Sequence, residues 1–149
     1  MAHPAISRVH LALEEGTRFC AKNALGAEAI LDSAPPAGES AGLTPMEFLL
    51  AGLGACTAMD AIGTLRKKRQ EVTDYRLEVV GVKAHEHPRV YTEITVRHIF
   101  TGHNLSGSAV RHASELSEEK YCSAMAMLRQ STQISTLFEI RTPEPVAAV

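Results

Sequence analysis

Residues 44–63, TPMEFLLAGLGACTAMDAIG, decide how this chain is read. Thr44 supplies a capping hydroxyl, Pro45 suits the first helical position, where its missing N–H is not needed, and Glu47 follows the cap by three residues, as a capping box requires. The helix that this start predicts runs to about Lys68. Its end, RKKR at residues 66–69, is a cationic last turn that complements the negative end of a helix, a simpler reading than a nucleic-acid patch. The first two-thirds of the helix are apolar on most faces and rich in Ala and Gly, the pattern of a central helix wrapped by protein on several sides. Near its middle stands Cys56. The thiol reads as a small core residue or as a reactive group, and the helix alone does not choose between them.

On the N-terminal side, ISRVHLAL (6–13) alternates with period two and predicts an edge strand. EEGT (14–17) turns the chain, and RFCAKN (18–23) and AEAILD (27–32) predict two further short strands of an antiparallel meander. SAPPAGESAGL (33–43) has no hydrophobic periodicity and is a loop, long enough to suggest a functional one. On the C-terminal side, residues 74–84 and 89–100 alternate on both sides of EHPR and predict a long hairpin. Leu105, Val110, Ala113 and Leu116 then fall at helical spacing, and Cys122, Met125, Ala126 and Arg129 continue a second stripe, with Ser117 as the break or cap between them. ISTLFEIR (134–141) closes as a strand, and 143–149 read as a loose tail. The order β-β-β-α-β-β-α-α-β, without a glycine-rich phosphate loop, predicts a single α+β domain over residues 1–149 and not a nucleotide-binding doubly wound fold.

Composition narrows the function classes. A chain of 149 residues builds one core without disulfides or metal. With 15 basic and 17 acidic residues it has no global field for nucleic acid or an anionic membrane, so small ligands remain. Aromatics are only 5% and Trp is absent, leaving Ala, Leu, Val and Ile to fill the interior. No apolar run reaches the roughly 18–20 residues that span a bilayer, and MAHPAISRVH lacks the charged and apolar regions of a secretory leader, so a cytoplasmic location is expected. Three cysteines in a reducing compartment argue against a disulfide framework.

The chemistry rests on the thiols. A thiolate that is oxidised to sulfenic acid needs a second thiol to condense with before overoxidation, so Cys56 and Cys122, 66 residues apart, are partners if folding joins them. Cys122 is predicted in the first turn of a short helix, where backbone N–H groups favour a thiolate. Cys20, between Phe19 and Ala21 in an early strand, reads as a packing residue. Asp60 follows Cys56 by four residues on the same helix face; its charge would raise the thiol's pKa, and its polarity marks a crevice or a subunit seam. His85 and His87 alternate around the hairpin tip, but no third ligand accompanies them in the sequence, so no metal is expected.

GLTPMEFLLAGLGACTAMDAI, with Pro eleven residues before the cysteine, followed by EKYCSAMAML and a closing strand, resembles the OsmC/Ohr family over roughly residues 8–142. The resemblance implies an intertwined homodimer, two long central helices packed between curved antiparallel sheets, with active sites at the subunit interface. It implies reduction of organic hydroperoxides without a cofactor, Cys56 matching the peroxidatic cysteine and Cys122 the resolving one, and an external dithiol reopening the disulfide. Met46 stands where family peroxidases carry Glu. Glu47 comes one residue later and, at about 100° per residue, faces away from Cys56, which fits the capping role. The family's activating Arg comes from the first hairpin or from the loop before the central helix; the loop contains none, so Arg18 is the match. Ser123 replaces the family's Pro. These departures resemble the divergent YhfA-like branch. Met46, Phe48, Leu49 and Met59 are the apolar residues expected to hold an organic substrate. The alternative is a non-catalytic OsmC-like protein that binds a hydrophobic ligand or senses redox state at the same interface.

Overall fold

A computed structural model describes residues 5–34 and 41–145, which divide into two compact units between Leu49 and Leu50. In the first unit, β1 (Val9–Glu15), β2 (Arg18–Asn23) and β3 (Glu28–Leu31) form an antiparallel sheet in that order. The meander turns at Gly16, whose φ of +57° is a conformation that glycine adopts at little cost. Asn23 Oδ1 accepts the N–H groups of Leu25 (2.9 Å) and Ala27 (3.0 Å) to close the second turn. β1 starts three residues later than its alternation suggested, and Val9, Leu11 and Leu13 are all exposed. Cys20 is buried in mid-strand, in register with Ala12 and Ile30. Of the expected loop, residues 35–40 lie outside the described residues; at its far end the Leu43 carbonyl accepts the Asp32 N–H at 3.1 Å.

The long helix, α1 (Pro45–Lys67), crosses from one unit into the other. Its capping box is complete: the Thr44 N–H and hydroxyl donate to Glu47 Oε2 (2.8 and 2.9 Å), and the Glu47 N–H donates back to Thr44 Oγ1 (3.3 Å). At the other end Arg69 takes φ +55°, while Gln70 N–H reaches the Leu65 carbonyl and Arg69 N–H the Arg66 carbonyl, both at 3.0 Å, a Schellman stop. The most apolar 18-residue window of α1 has a mean hydropathy of 1.6, long and apolar enough by composition to cross a bilayer. Counting only uninterrupted apolar runs missed this, because Asp60 and the threonines interrupt the run without making the helix polar. A core helix passes the same test.

In the second unit β4 (Glu71–Lys83) and β5 (Tyr91–His103) form the expected hairpin, and β6 (Gln133–Arg141) returns parallel to β5. This sheet is therefore antiparallel in its hairpin and parallel at its last pair, the crossover being the helical segment between β5 and β6. That segment is α2 (Gly107–Leu116), a wide π turn (Ser117–Tyr121) and α3 (Ser123–Leu128). Ser106 caps α2 by accepting the Ala109 N–H at 3.3 Å, and its own N–H donates to Gln70 Oε1 at 2.8 Å. Ser117 is the C-cap of α2, the break expected there, and from it the coil widens by one residue, the Cys122 N–H donating to the Ser117 carbonyl at 2.8 Å.

Ala61 and Leu65 of α1, Phe100 of β5, and Ala109, Val110 and Ala113 of α2 make the core of this unit. Full burial of each large apolar side chain contributes roughly 1.5–3 kcal/mol, and the alanines let the helices approach closely. A methyl group at Gly54 would lie 2.8 Å from Val79 Cγ2, so α1 also rests tightly on β4. Residues 142–145 follow β6 without helix or strand, and the rest of the expected tail, 146–149, lies outside the described residues.

Candidate active site

In its second-unit portion α1 carries two adjacent stripes. Leu53, Thr57, Ala61 and Leu65, four residues apart, are buried, whereas Cys56, Asp60, Gly63, Thr64 and Lys67 fall on the neighbouring face. Asp60, Gly63, Thr64 and Lys67, with Met59, Leu116 and Tyr121, line an open cleft of about 440 Å³. The crevice that Asp60 led us to expect is present.

The π turn brings the second thiol to this face. Its extra residue leaves Cys122 in an extended conformation (φ −74°, ψ 101°), so Cys122 is the cap of α3 and not part of its first turn; its Sγ accepts the Met125 N–H at 3.3 Å. The Cys56 Sγ, the Cys122 Sγ and a carboxylate oxygen of Asp60 all lie within 4.8 Å of one another. Both thiols are free, Cys122 buried and Cys56 half-buried. Ser117 ties the turn to α1: its Oγ is 3.2 Å from the Thr57 carbonyl and 3.3 Å from Asp60 Oδ2, acceptors that compete for one hydroxyl proton. Thr57 spends its own hydroxyl on the Gly54 carbonyl at 3.0 Å and stays inside the helix.

Cys122 reverses the electrostatic expectation. Burial pushes its thiol up to about 11, the adjoining Cys56 and the Asp60 charge add to the rise, and the Met125 N–H acts the other way without prevailing. Backbone N–H groups at a helix start favour a thiolate, but taking the sulfur out of water opposes them, and at Cys122 burial is the larger effect.

The other expected site residues are placed as follows. Arg18 opens β2 in the first unit, where its buried Nε is 3.5 Å from Asp32 Oδ2, an ion-pair contact outside hydrogen-bond geometry. Met59, 72% exposed, is at the cleft beside Asp60, whereas Met46, Phe48 and Leu49 belong to the first unit, Phe48 lining a hollow with Val9, Ala21 and Ala29. Cys20 Sγ faces Glu28 Oε2 at 3.8 Å, and burial, then that carboxylate, push its thiol up, consistent with a packing residue. His85 and His87 are exposed in the β4–β5 turn and join no cluster of three ligating side chains among the described residues. Sequence reasoning missed Ser117 as a site residue and the cleft wall. Gly63, Thr64 and Lys67 were accessible as the helical continuation of Cys56 and Asp60; Leu116 and Tyr121 depend on the π turn and had no local signal.

A family model for OsmC-like proteins matches residues 38–137. Over 126 residues the chain is 36% identical to Protein YhfA of Escherichia coli K12, covering 85% of this chain and 92% of that one. A crystal structure of a hypothetical protein from Aquifex aeolicus, 33% identical, superposes with a TM-score of 0.83 over 95% of this chain and all (100%) of the other. The fold alone is shared with an organic hydroperoxide resistance protein, OsmC, from Legionella pneumophila, at 14% identity and a TM-score of 0.60 over 93% of this chain and 98% of that one. On the family match and the identity to these relatives, the chain belongs to the OsmC-like family.

Proposed function

We propose that this protein reduces organic hydroperoxides with Cys56 as nucleophile and Cys122 as resolving thiol. The observation that carries the reading is the approach of the two sulfurs, 66 residues apart in sequence, to within 4.8 Å beside an open cleft. The Cys56 thiolate attacks the terminal peroxide oxygen, an S–O bond forms as the O–O bond breaks, and the alkoxide leaves as alcohol with the proton that Cys56 released on ionising. The Cys122 sulfur then attacks the sulfenic sulfur of Cys56; the disulfide forms and the hydroxyl departs as water, taking the proton that Cys122 gives up. Asp60 is placed to pass that proton on. An external dithiol returns both cysteines to thiols. Closing the disulfide needs an S–S distance of about 2.05 Å, so the two sulfurs must approach further from their present separation. Met59 and Leu116 give the cleft the apolar wall that an alkyl tail needs, and Met46, Phe48 and Leu49 are likewise proposed to bind substrate.

The reading includes one OsmC-like domain over residues 1–149, a cytoplasmic homodimer, and Arg18 as the catalytic cation. The dimer is supported by uncovered apolar surface: Val9, Leu11 and Leu13 on β1, and Leu49 and Met59 on α1, are each 47% exposed or more. Steady-state consumption of cumene hydroperoxide with dithiothreitol tests the function. Turnover in the wild type that vanishes in Cys56→Ser is expected; turnover equal in both, or absent from a fully reduced wild type, rejects it. Met46 in the family's Glu position and the raised Cys122 thiol favour a second reading, a non-catalytic binder or redox sensor, for which ligand affinity survives Cys56→Ser and turnover is negligible.

A further inference from the structure

The same three side chains satisfy a second chemistry. We propose that Cys56, Asp60 and Cys122 form a three-ligand site for a soft divalent cation of the Zn²⁺ type. Two thiolates and a carboxylate are a donor set that selects zinc-like ions over Mg²⁺ or Ca²⁺, which demand oxygen alone. Tetrahedral Zn²⁺ with Zn–S near 2.3 Å and Zn–O near 2.0 Å places neighbouring donors about 3.5–3.8 Å apart. The three donor atoms already lie within 4.8 Å of one another, so contraction by about 1 Å closes the site.

The surroundings fit a bound ion. Cys56 and Asp60 are four residues apart on one face of α1, the spacing by which a helix presents two ligands to one metal, and the π turn supplies the third from a separate element. Ser117 Oγ, buried and 3.3 Å from Asp60 Oδ2, is within reach to give a ligating carboxylate its outer hydrogen bond by turning its proton from the Thr57 carbonyl. Asp60 also borders the cleft, which leaves the fourth position to water or an incoming anion, the open coordination of a reactive site and not the closed one of a structural site. His85 and His87, the metal candidates in the sequence, take no part.

Metal and disulfide exclude each other, since a sulfur bonded to its partner has no thiolate to offer. Metal loading is thus a brake on thiol oxidation, and disulfide formation by a two-electron oxidant, a hydroperoxide reduced to alcohol and water or a diazene reduced to its hydrazine, releases the ion. The binding claim stands apart from the hydroperoxide reading: a chain that binds metal without turnover rejects only that reading, and one with turnover but no binding rejects only this one.

Titration of the reduced protein with Co²⁺ alone tests it. One Co²⁺ per chain is expected, with a near-ultraviolet thiolate-to-cobalt charge-transfer band that Zn²⁺ displaces stoichiometrically. Cys56→Ser and Cys122→Ser should each weaken binding by roughly 100-fold or more, Asp60→Asn by at least about tenfold, and Cys20→Ser not at all. In the wild type, free of any folding question, Zn²⁺ should slow alkylation of Cys56 and Cys122, and prior oxidation by diamide should abolish the Co²⁺ band. No band in the reduced wild type, a band that persists in both cysteine variants, or one lost in Cys20→Ser overturns the proposal.

Discussion

Acidification from pH 6.5 towards 4 is expected to remove stability from the second unit through one buried imidazole. His98 on β5 is 1% exposed, its Nδ1 is 2.6 Å from the Tyr75 hydroxyl, and its ring stacks with those of Tyr75 and Phe100, each at 5.9 Å between centroids. Burial pushes this group from 6.5 down to about 4. In the unfolded chain it protonates at its ordinary value, so between those two pH values the unfolded state binds more protons and stability falls as pH falls. Above 6.5 the group contributes no slope, and below about 4 its contribution is constant again. At 1.36 kcal/mol per unit the loss is on the order of 3 kcal/mol, a large share of the roughly 5–15 kcal/mol that holds an ordinary domain together. Urea midpoints near neutral pH and near pH 4 measure it, for the wild type and for the double variant Tyr75→Phe/His98→Phe, which removes both partners and leaves no buried polar atom unpaired. Carboxylates titrate alike in the two proteins and cancel. The double variant should lose about 3 kcal/mol less than the wild type over this range; equal losses would refute the reasoning.

Three further outcomes follow from particular contacts. Thr44→Ala removes the capping hydroxyl and should cost about 1 kcal/mol by urea midpoint without changing thiol chemistry in the second unit; an unchanged midpoint would mean the cap holds nothing. Gly54→Val presses a branched side chain into the stiff Val79, 2.8 Å from the first added carbon, and should cost about 2–3 kcal/mol, with Gly54→Ala milder because replacing a helical glycine returns about 1 kcal/mol. Cys122, its thiol pushed up to about 11, should alkylate with iodoacetamide about tenfold faster for each pH unit, followed by mass spectrometry of its peptide; a rate that levels off by about pH 9 contradicts the raised thiol.

What the sequence disclosed was local or periodic. Thr44 and Glu47 announce the start of α1 because a capping box needs only four residues, and the β4–β5 hairpin shows because one buried face imposes alternation on both strands. Cys56 and Asp60 share a face by helical spacing alone. The meeting of Cys56 with Cys122 was accessible only through the family resemblance, since nothing local encodes a contact across 66 residues. The π turn was hidden for the same reason: Ser117 looks like an ordinary break until its hydroxyl is seen facing the Thr57 carbonyl and Asp60, partners 57–60 residues away. With the turn went the true position of Cys122 as a cap and the burial that outweighs its N–H contact. The parallel return of β6 was likewise invisible, because a strand's own alternation does not state its direction.

Peptide mass spectrometry of the reduced chain after one equivalent of cumene hydroperoxide decides whether the two thiols react as a pair. Linked Cys56 and Cys122 peptides are expected, with Cys20 still a free thiol and Cys122→Ser accumulating sulfenic acid on Cys56. Absence of that linkage together with no trapped oxidation of Cys56, or oxidation confined to Cys20, would contradict the peroxidase reading.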